Sequence, residues 1–328
     1  MSRATIADVA RAAGVSVPTV SKVLNGRPQI STATRRRVEE AVEQVGYARP
    51  GRPRRRAGLV DLVLGAVDSP WAQEVVAGAE AEAHDAGVGL VVTASRGPEA
   101  EWLGAALRRR SDGVVLAVTD LTTATVDALL GTGVPVVLLD RTGRSDPRLP
   151  SVGAANWSGA LAATEHLLGL GHTRIATIVG PDHLACSAER VDGYLAALRR
   201  AGIPADDDLV VQGDFRSDGG RRAAAALLDL AAPPTAVFAG SDLQAFGVLS
   251  EARDRGLRLP EDLSVVGFDD LSVARFVTPA LTTVRQPHAD MAAQAVRIAL
   301  GRQPAPESGR LELTTQLVLR ASTTTTTD

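Results

Sequence analysis

Eight short apolar runs in this 328-residue chain are separated by helix-length stretches, and the alternation starts twice. Before Asn156 the runs are "LVDLVLGAV", "GVGLVVTA", "DGVVLAV" and "VPVVLLD"; after it they are "RIATIVG", "LVVQGD", "TAVFAG" and "LSVVGFD". Continuous apolar runs of this length fit parallel strands covered on both faces. Amphipathic stretches near 72–86, 99–110 and 122–131 fit the helices that cross between them. Strands alternating with helices build a doubly wound α/β unit, so a double start means two such units in series. "LTTVRQP" at 281–287, a helix near 288–300 and "LELTTQLVL" at 311–319 follow. The terminal "TTTTTD" is expected to be disordered.

Ahead of the first run lies a module of another kind. Residues 1–58 hold 12 Lys or Arg against 4 Asp or Glu, a balance of +8, while the remainder holds 23 against 34, a balance of −11. A short basic module on a large acidic body points to a polyanionic partner. A solvated basic tail would carry the same charge, but this module has apolar periodicity. Thr5 is placed to cap a first helix with Ile6, Val9, Ala10 and Ala13 on one stripe, stopped by Gly14. Ser16 caps a second, with Pro18 tolerated in its first turn, Val20, Val23 and Leu24 turned inward, and Asn25-Gly26 as its end. Ser31 caps a third, with Val38, Ala41, Val42 and Val45 on one face and Gly46 as its stop. Helix, glycine turn and short helix is the helix-turn-helix arrangement. Thr5, Asn25, Ser31 and Thr34 also suit phosphate contacts, because capping and phosphate binding coexist at a helix N-terminus.

Other chemistries find little support. Cys186 is the one cysteine, which excludes an intramolecular disulfide, and its neighbour His183 makes a weak pair without an orienting partner. The five histidines show no HxxxH or HExxH spacing, and neither GxGxxG nor GxxxxGK[ST] occurs. No enzyme, metal or cofactor is therefore expected. "MSRATIADVA" has no apolar h-region and no run is long enough to span a bilayer, so a cytoplasmic protein without a membrane partner is expected.

Two separate stretches are similar to one family. "ATIADVARAAGVSVPTVSKVLNG" with "ISTATRRRVEEAVEQVGY" resembles the DNA-binding headpiece of the LacI/GalR (lac repressor/galactose repressor) regulators. "GHTRIATIVG", "ERVDGYLAAL", "GSDLQAFGVL", "LPEDLSVVGFDD" and "TPALTTVRQP" resemble that family's periplasmic-binding-protein-like core. The resemblance spans nearly the whole chain, with the motifs in the family's order. It implies a three-helix headpiece at 1–47, a basic hinge linker at 48–58, and an α/β core at 59–328 of two doubly wound parallel-sheet lobes. One lobe would take about 59–155 plus 287–312, the other about 156–284 plus 313–322. It implies a homodimeric transcriptional regulator, by default a repressor released from double-stranded operator DNA by a sugar or oligosaccharide between the lobes. A transport-type sugar-binding protein would share the core but lack the first 58 residues.

In that family the second helix lies in the major groove, which puts Val17 and Pro18 where side chains choose bases. Both are apolar here and suit thymine methyl groups. Ser16, Thr19 and Ser21 offer hydroxyls to phosphates or base edges. Lys22, the single lysine among 35 basic residues, stands where the family places Arg or Lys facing guanine. Its ammonium can donate to O6 and N7, and because every other basic residue is arginine this reading is favoured over that of a solvated helix charge. The linker departs from the family: no leucine lies between Leu24 and Leu59, and Pro50 and Pro53 oppose a hinge helix. Arg52 and Arg54 in "RPGRPRRR" fit a minor-groove arginine segment or, equally, a flexible basic tether.

Doubly wound units bind ligands outside the carboxyl ends of their strands, and two such lobes converge those ends on one cleft. By that rule Asp68 and Trp71 follow the first strand, Arg141 follows "VVLLD", and Asn156 with Trp157 begins the second lobe's first helix. Arg190 starts the helix "RVDGYLAAL", Phe215 follows "LVVQGD", Ser241 and Asp242 follow "TAVFAG", Asp269 ends "LSVVGFD", and Gln286 lies on a crossover. Carboxylates and an arginine around aromatic platforms suit a sugar. The resemblance ranks Arg190 and Asp269 first as ligand contacts, with Trp71, Phe215 and Asp242 next. Asp269 and Asp242 also read as helix caps, Trp71 as packing and Arg190 as a surface charge.

Overall fold

The computed structural model describes residues 5–24, 30–45, 57–95, 99–117, 121–140 and 146–326. The chain divides into two compact units, 1–55 and 56–328.

The first unit contains α1 (Ile6–Ala13), α2 (Val17–Leu24) and α3 (Thr32–Gln44). Thr5 and Asp8 make a reciprocal capping box: the Thr5 N–H donates to Asp8 Oδ2 at 2.9 Å and the Asp8 N–H donates to Thr5 Oγ1 at 3.4 Å. Gly14 ends α1 in the left-handed region at φ +63°, where a side chain would be strained. Val9, Ala10, Ala13, Val20, Val23, Val38 and Ala41 form the core, with Ile6, Val15, Ile30, Val42 and Val45 packed on its edge. Its residues are small, so three short helices close on one another around little apolar volume.

The second unit is built on two six-stranded sheets. The first is drawn mostly from β1 (Leu59–Leu64), α4 (Pro70–Asp85), β2 (Gly89–Ala94), α5 (Glu99–Arg109), β3 (Gly113–Ala117), α6 (Thr123–Gly131), β4 (Val136–Leu139) and β5 (Ser151–Ala154). The chain then passes through α7 (Asn156–Gly169), β6 (Ile175–Val179), α8 (Ala185–Arg200), β7 (Val210–Gln212), α9 (Ser217–Leu228), β8 (Ala236–Ala239), α10 (Asp242–Asp254), β9 (Ser264–Asp269) and β10 (Thr282–Arg285). It returns to the first sheet with α11 (His288–Ala299) and β11 (Arg310–Leu313), and ends on the second with β12 (Gln316–Val318). The sheet orders are β11-β5-β4-β3-β1-β2 and β12-β10-β9-β8-β6-β7. Every described pairing is parallel except β10 with β12. In each sheet the order reverses beside the strand that starts it, β1 or β6, and that reversal opens a crevice at the strand ends. The chain crosses between sheets three times, near residues 155, 286–287 and 314–315.

Two expectations change. β5 reads as no apolar run because "SVGA" is four residues with a serine and a glycine, yet all four are buried between β4 and β11. The terminal threonines are ordered through residue 326, against the expected disorder. Thr324 N–H donates to Ser264 Oγ at 3.0 Å and Thr326 N–H to Leu170 O at 3.0 Å. Hydroxyl-bearing, β-branched residues suit such an extended strap, which composition alone does not reveal. Among the described residues no helix is long and apolar enough to cross a membrane.

Candidate ligand cleft and nucleic-acid interface

In the first unit the helical period sorts α2 into two faces. Val20 and Val23 are buried in the core, while Val17, Pro18 and Lys22 are exposed, Val17 at 41%. Ser16 lies one residue ahead of the helix: its Oγ accepts from Thr19 N–H at 3.4 Å and meets Thr19 Oγ1 at 2.9 Å. Ser31 and Thr34 repeat the arrangement at α3, 2.9 Å between hydroxyls and 3.2 Å from Thr34 N–H to Ser31 Oγ. Thr19, Ser21 and Thr34 are half-buried, and Thr5, Ser16 and Ser31 are exposed. The exposed face thus carries two apolar groups, short hydroxyls and one cation, the mixture that meets methyl groups, phosphates and base acceptors. Asn25, Arg52 and Arg54 lie outside the described residues, as does most of the linker.

In the second unit a cavity of about 620 Å³ lies where strand ends from both sheets meet. Of the residues expected there, Asp68, Trp71, Arg190, Phe215, Ser241, Asp269 and Gln286 line it. Asp68 and Trp71 come from the turn after β1 and the start of α4, where Ser69 Oγ accepts from Ala72 N–H at 3.1 Å. Arg190 sits in the second turn of α8, which begins at Ala185 and not at Arg190 itself. Its guanidinium is only 6% exposed and lies 3.9 Å over the Phe268 ring and 5.3 Å from that of Phe215. Its Nη1 donates to Gly240 O at 2.5 Å and its Nε to Asn156 Oδ1 at 3.0 Å. Phe215 reaches this place because Gly180 has no side chain: a Cβ there would stand 1.9 Å from Phe215 Cζ.

Asp269 accepts from Gln286 Nε2 at 2.6 Å, which leaves Gln286 Oε1 buried without a partner. Burial pushes the Asp269 carboxyl above the usual range, and Arg190 and His288 pull it back. Asp140 shows the same balance: burial raises it, Arg190 and then His288 oppose. Asp140, Phe215 and Asp269 all line the cavity with positive φ, +53°, +60° and +128°. Each such residue costs about 1–3 kcal/mol, and strain of this kind gathers at binding sites. Trp71 meets His288 edge-on at 6.4 Å, and His288 Nδ1 is 2.9 Å from Glu74 Oε2.

Three expectations need correction. Asp242 is not in the wall but fully buried behind it, accepting from Leu271 N–H at 2.8 Å and Thr283 Oγ1–H at 2.5 Å. Its carboxylate ties the turn after β9 to β10, and the residue does not line the cavity. Asn156 also stands behind the wall, holding Arg190. Trp157 is outside the cleft, 5.8 Å from the Arg200 guanidinium. Arg141 lies outside the described residues. Sequence reasoning missed Asp140, Asp214 and Arg216, all in the wall. The strand-end rule that selected Arg141 applies equally to Asp140, one residue earlier, and to Asp214, the last residue of "LVVQGD". Among the described residues no group of three or more His, Cys, Asp or Glu could hold a metal ion.

Residues 5–50 match the profile described as bacterial regulatory proteins, lacI family, and residues 164–323 match a periplasmic binding protein-like domain. The HTH-type transcriptional repressor CytR of Escherichia coli K12 is 34% identical over 331 residues, covering 98% of this chain and 96% of the relative. Among solved structures, the transcriptional regulator CelR–cellobiose complex shares 36% identity at a TM-score of 0.75, covering 98% of this chain and 100% of that one. The lac repressor dimer bound to operator and the anti-inducer ONPF shares 26% identity at a TM-score of 0.71, covering 98% and 100%.

Proposed function

The chain belongs to the lacI family of bacterial transcriptional regulators, and on that premise we propose that its cleft binds a neutral carbohydrate of disaccharide size, releasing its headpiece from operator DNA. The observation that carries this reading is the wall chemistry. Asp68, Asp140, Asp214 and Asp269 accept hydrogen bonds, Arg190 and Arg216 donate them, and Trp71 and Phe215 offer apolar faces. Vicinal hydroxyls pair with carboxylates and a guanidinium, while the apolar face of a sugar ring packs on an aromatic. Four carboxylates against two guanidinium groups disfavour a phosphorylated sugar. A volume of about 620 Å³ lies in the middle of the range for small-molecule sites and has room for two rings. The relative solved with cellobiose makes that disaccharide the first probe.

In this reading the protein is a cytoplasmic homodimer without enzymatic activity. Residues 1–47 form its headpiece, 48–58 its linker and 59–328 its core. Val17, Pro18 and Lys22 read base edges, the hydroxyls of Thr5, Ser16, Thr19, Ser21, Ser31 and Thr34 hold phosphates, and Arg52 and Arg54 enter the minor groove. The test is a thermal-shift screen of neutral mono- and disaccharides, cellobiose first, with sugar phosphates as the contrast. A ligand at 100 times its Kd adds about 2.7 kcal/mol to apparent stability. Any saccharide that raises Tm should also weaken salt-sensitive binding to operator DNA. A panel in which only phosphorylated sugars shift Tm, or none does, overturns the reading.

A further inference from the structure

The polar wall behind the cleft contains a chain of contacts that ligand binding alone does not explain. Arg190 Nε is held by Asn156 Oδ1 at 3.0 Å. The other half of that amide is committed too: Asn156 Nδ2 donates to Glu189 Oε2 at 3.0 Å and to Ala154 O at 3.1 Å. Glu189 also accepts from both terminal nitrogens of Arg310, at 2.7 and 3.2 Å. Arg190 and Glu189 lie on α8 and Asn156 opens α7, all packed on the second sheet, whereas Arg310 opens β11 in the first. Four side chains therefore lead from the cavity's arginine across the lobe boundary. Beside them is a hole of about 10 Å³, room for roughly one water, lined by Asp140, Cys186, Glu189 and Arg310 among others.

We propose that Glu189 is the positioning residue of the cleft: it locks the Asn156 amide with its oxygen toward Arg190, and its pair with Arg310 makes that lock depend on how the two lobes are placed. An asparagine amide is nearly symmetric in shape, so only its partners decide which end faces which way. The acceptors on the Nδ2 side are Glu189 and the Ala154 carbonyl. Without the carboxylate the amide turns more freely, and a turned amide sets Nδ2 against the Nε donor of Arg190. Glu189 does not line the cleft, so it acts on a ligand through Asn156 and Arg190. The effect on ligand affinity rests on the carbohydrate reading of the cleft; the effect on Arg190 does not.

The test uses the full-length protein with two readouts. One is the calorimetric Kd for cellobiose. The other is the ¹H–¹⁵N signal of the Arg190 Nε–H in ligand-free protein, identified by its disappearance in Arg190→Lys. Glu189→Ala should weaken cellobiose binding about tenfold, the scale of one lost buried hydrogen bond, and speed solvent exchange of the Arg190 Nε–H. Arg310→Ala removes the cross-lobe pair, together with a half-exposed pair to Glu312 on the same strand, leaves Glu189 on Asn156, and should cost about two- to threefold. The double variant E189R/R310E restores opposite charges across the lobes but puts no acceptor in place of the Glu189 carboxylate, leaving Asn156 Nδ2 the Ala154 carbonyl alone, so it should remain as weak as Glu189→Ala. Glu189→Gln keeps an acceptor for Asn156 and should retain the Arg190 signal, which serves where Glu189→Ala fails to fold. Full recovery in the double variant would reduce Glu189 to a latch between lobes. An Arg190 signal unchanged in Glu189→Ala would overturn the proposal outright. If wild-type protein ignores cellobiose, that counts against the disaccharide reading, while the Arg190 signal still decides the positioning role.

Discussion

The three-helix unit and the two-sheet unit hold their polar chemistry at opposite depths. On and just ahead of α2 the groups proposed to meet DNA are exposed: Val17, Pro18, Ser16 and Lys22 stand in water, and the core behind them is a handful of valines and alanines. In the cleft the corresponding groups are buried: Arg190, Asp269 and Gln286 keep only 6%, 8% and 4% of their surface. An exposed group contributes when it is desolvated against its partner, and its loss leaves nothing stranded. A buried charge is held by other buried groups, and its loss strands them. The difference predicts small, partner-specific effects in the headpiece and large effects of two separable kinds in the core.

The largest effect should come from Arg190→Ala. It leaves Asp140 and Asp269 without the cation that opposes their desolvation, so effector binding should weaken by about 2–5 kcal/mol. Calorimetry with cellobiose checks this, and operator affinity by anisotropy should be unchanged. A variant that still responds at wild-type ligand concentrations would break the comparison at its strongest point. Asp242→Ala should separate stability from binding. It orphans the Leu271 N–H and the Thr283 hydroxyl at a cost of about 1–3 kcal/mol for each buried donor. The denaturant midpoint should fall, while the cellobiose Kd of the folded fraction stays within a factor of about two. A large change in Kd at unchanged stability would return Asp242 to the wall.

These two aspartates also show where the sequence stops being legible. The alternating runs revealed both sheets, and the caps of all three small helices could be read from Thr5, Ser16 and Ser31, because capping depends on neighbours three residues away. The strand-end rule found seven wall residues, since a strand end points at the cleft wherever the sheet is doubly wound. Depth was not readable. Asp242 and Asp269 each follow a strand, but Thr283 and Leu271, 41 and 29 residues from Asp242 in sequence, turn it inward. Asn156 was placed near the site correctly, yet its job is set by Glu189 and Arg190, more than thirty residues on. β5 was missed because it owes its burial to a place inside the sheet between β4 and β11, not to its own apolarity.

Lys22→Ala should produce an intermediate effect with no structural cost. Its side chain is exposed, so Tm should not move. If the ammonium reads a guanine, operator affinity should fall by about 1–3 kcal/mol with relaxed preference at one base pair. A panel of operators substituted at each position distinguishes this from phosphate contact, which would weaken every sequence alike. A fall in Tm would instead show that the exposed face of α2 is coupled to its core, and the contrast between the two units would narrow.

The smallest effect should appear on mild acidification, and it should touch one unit only. Residues 1–58 contain no histidine. Asp8 is held below its ordinary 3.8 by hydrogen bonds from Thr5 and then by Arg11, so its contribution is present above that value and fades only at lower pH. The core carries His166 and His172 against the terminal strap. His166 Nε2 lies 3.0 Å from Thr323 Oγ1, and His172 Nε2 lies 3.0 Å from the Thr324 carbonyl while Nδ1 meets Thr235 Oγ1 at 2.9 Å. Burial lowers both imidazoles below 6.5. The folded chain then binds fewer protons than the unfolded one, so their stabilisation is present above about 6.5 and is lost as pH falls from there through the lowered values of the folded chain. Buried Asp140, Asp242 and Asp269 titrate with the opposite sign, because their raised values make protonation favour the folded chain. The Tm of wild type alone therefore mixes the two trends. His172→Gln removes one of them and keeps a donor and an acceptor for the strap. The Tm gap between wild type and this variant should shrink as pH drops from 8 to about 5.5. Hydrogen exchange on the same samples should show protection declining in 165–175 and 320–326, with the 6–24 segment unchanged once intrinsic exchange is corrected for pH. A gap that is constant with pH, or equal loss of protection in the headpiece, would show that the strap histidines do not set the acid response of the core.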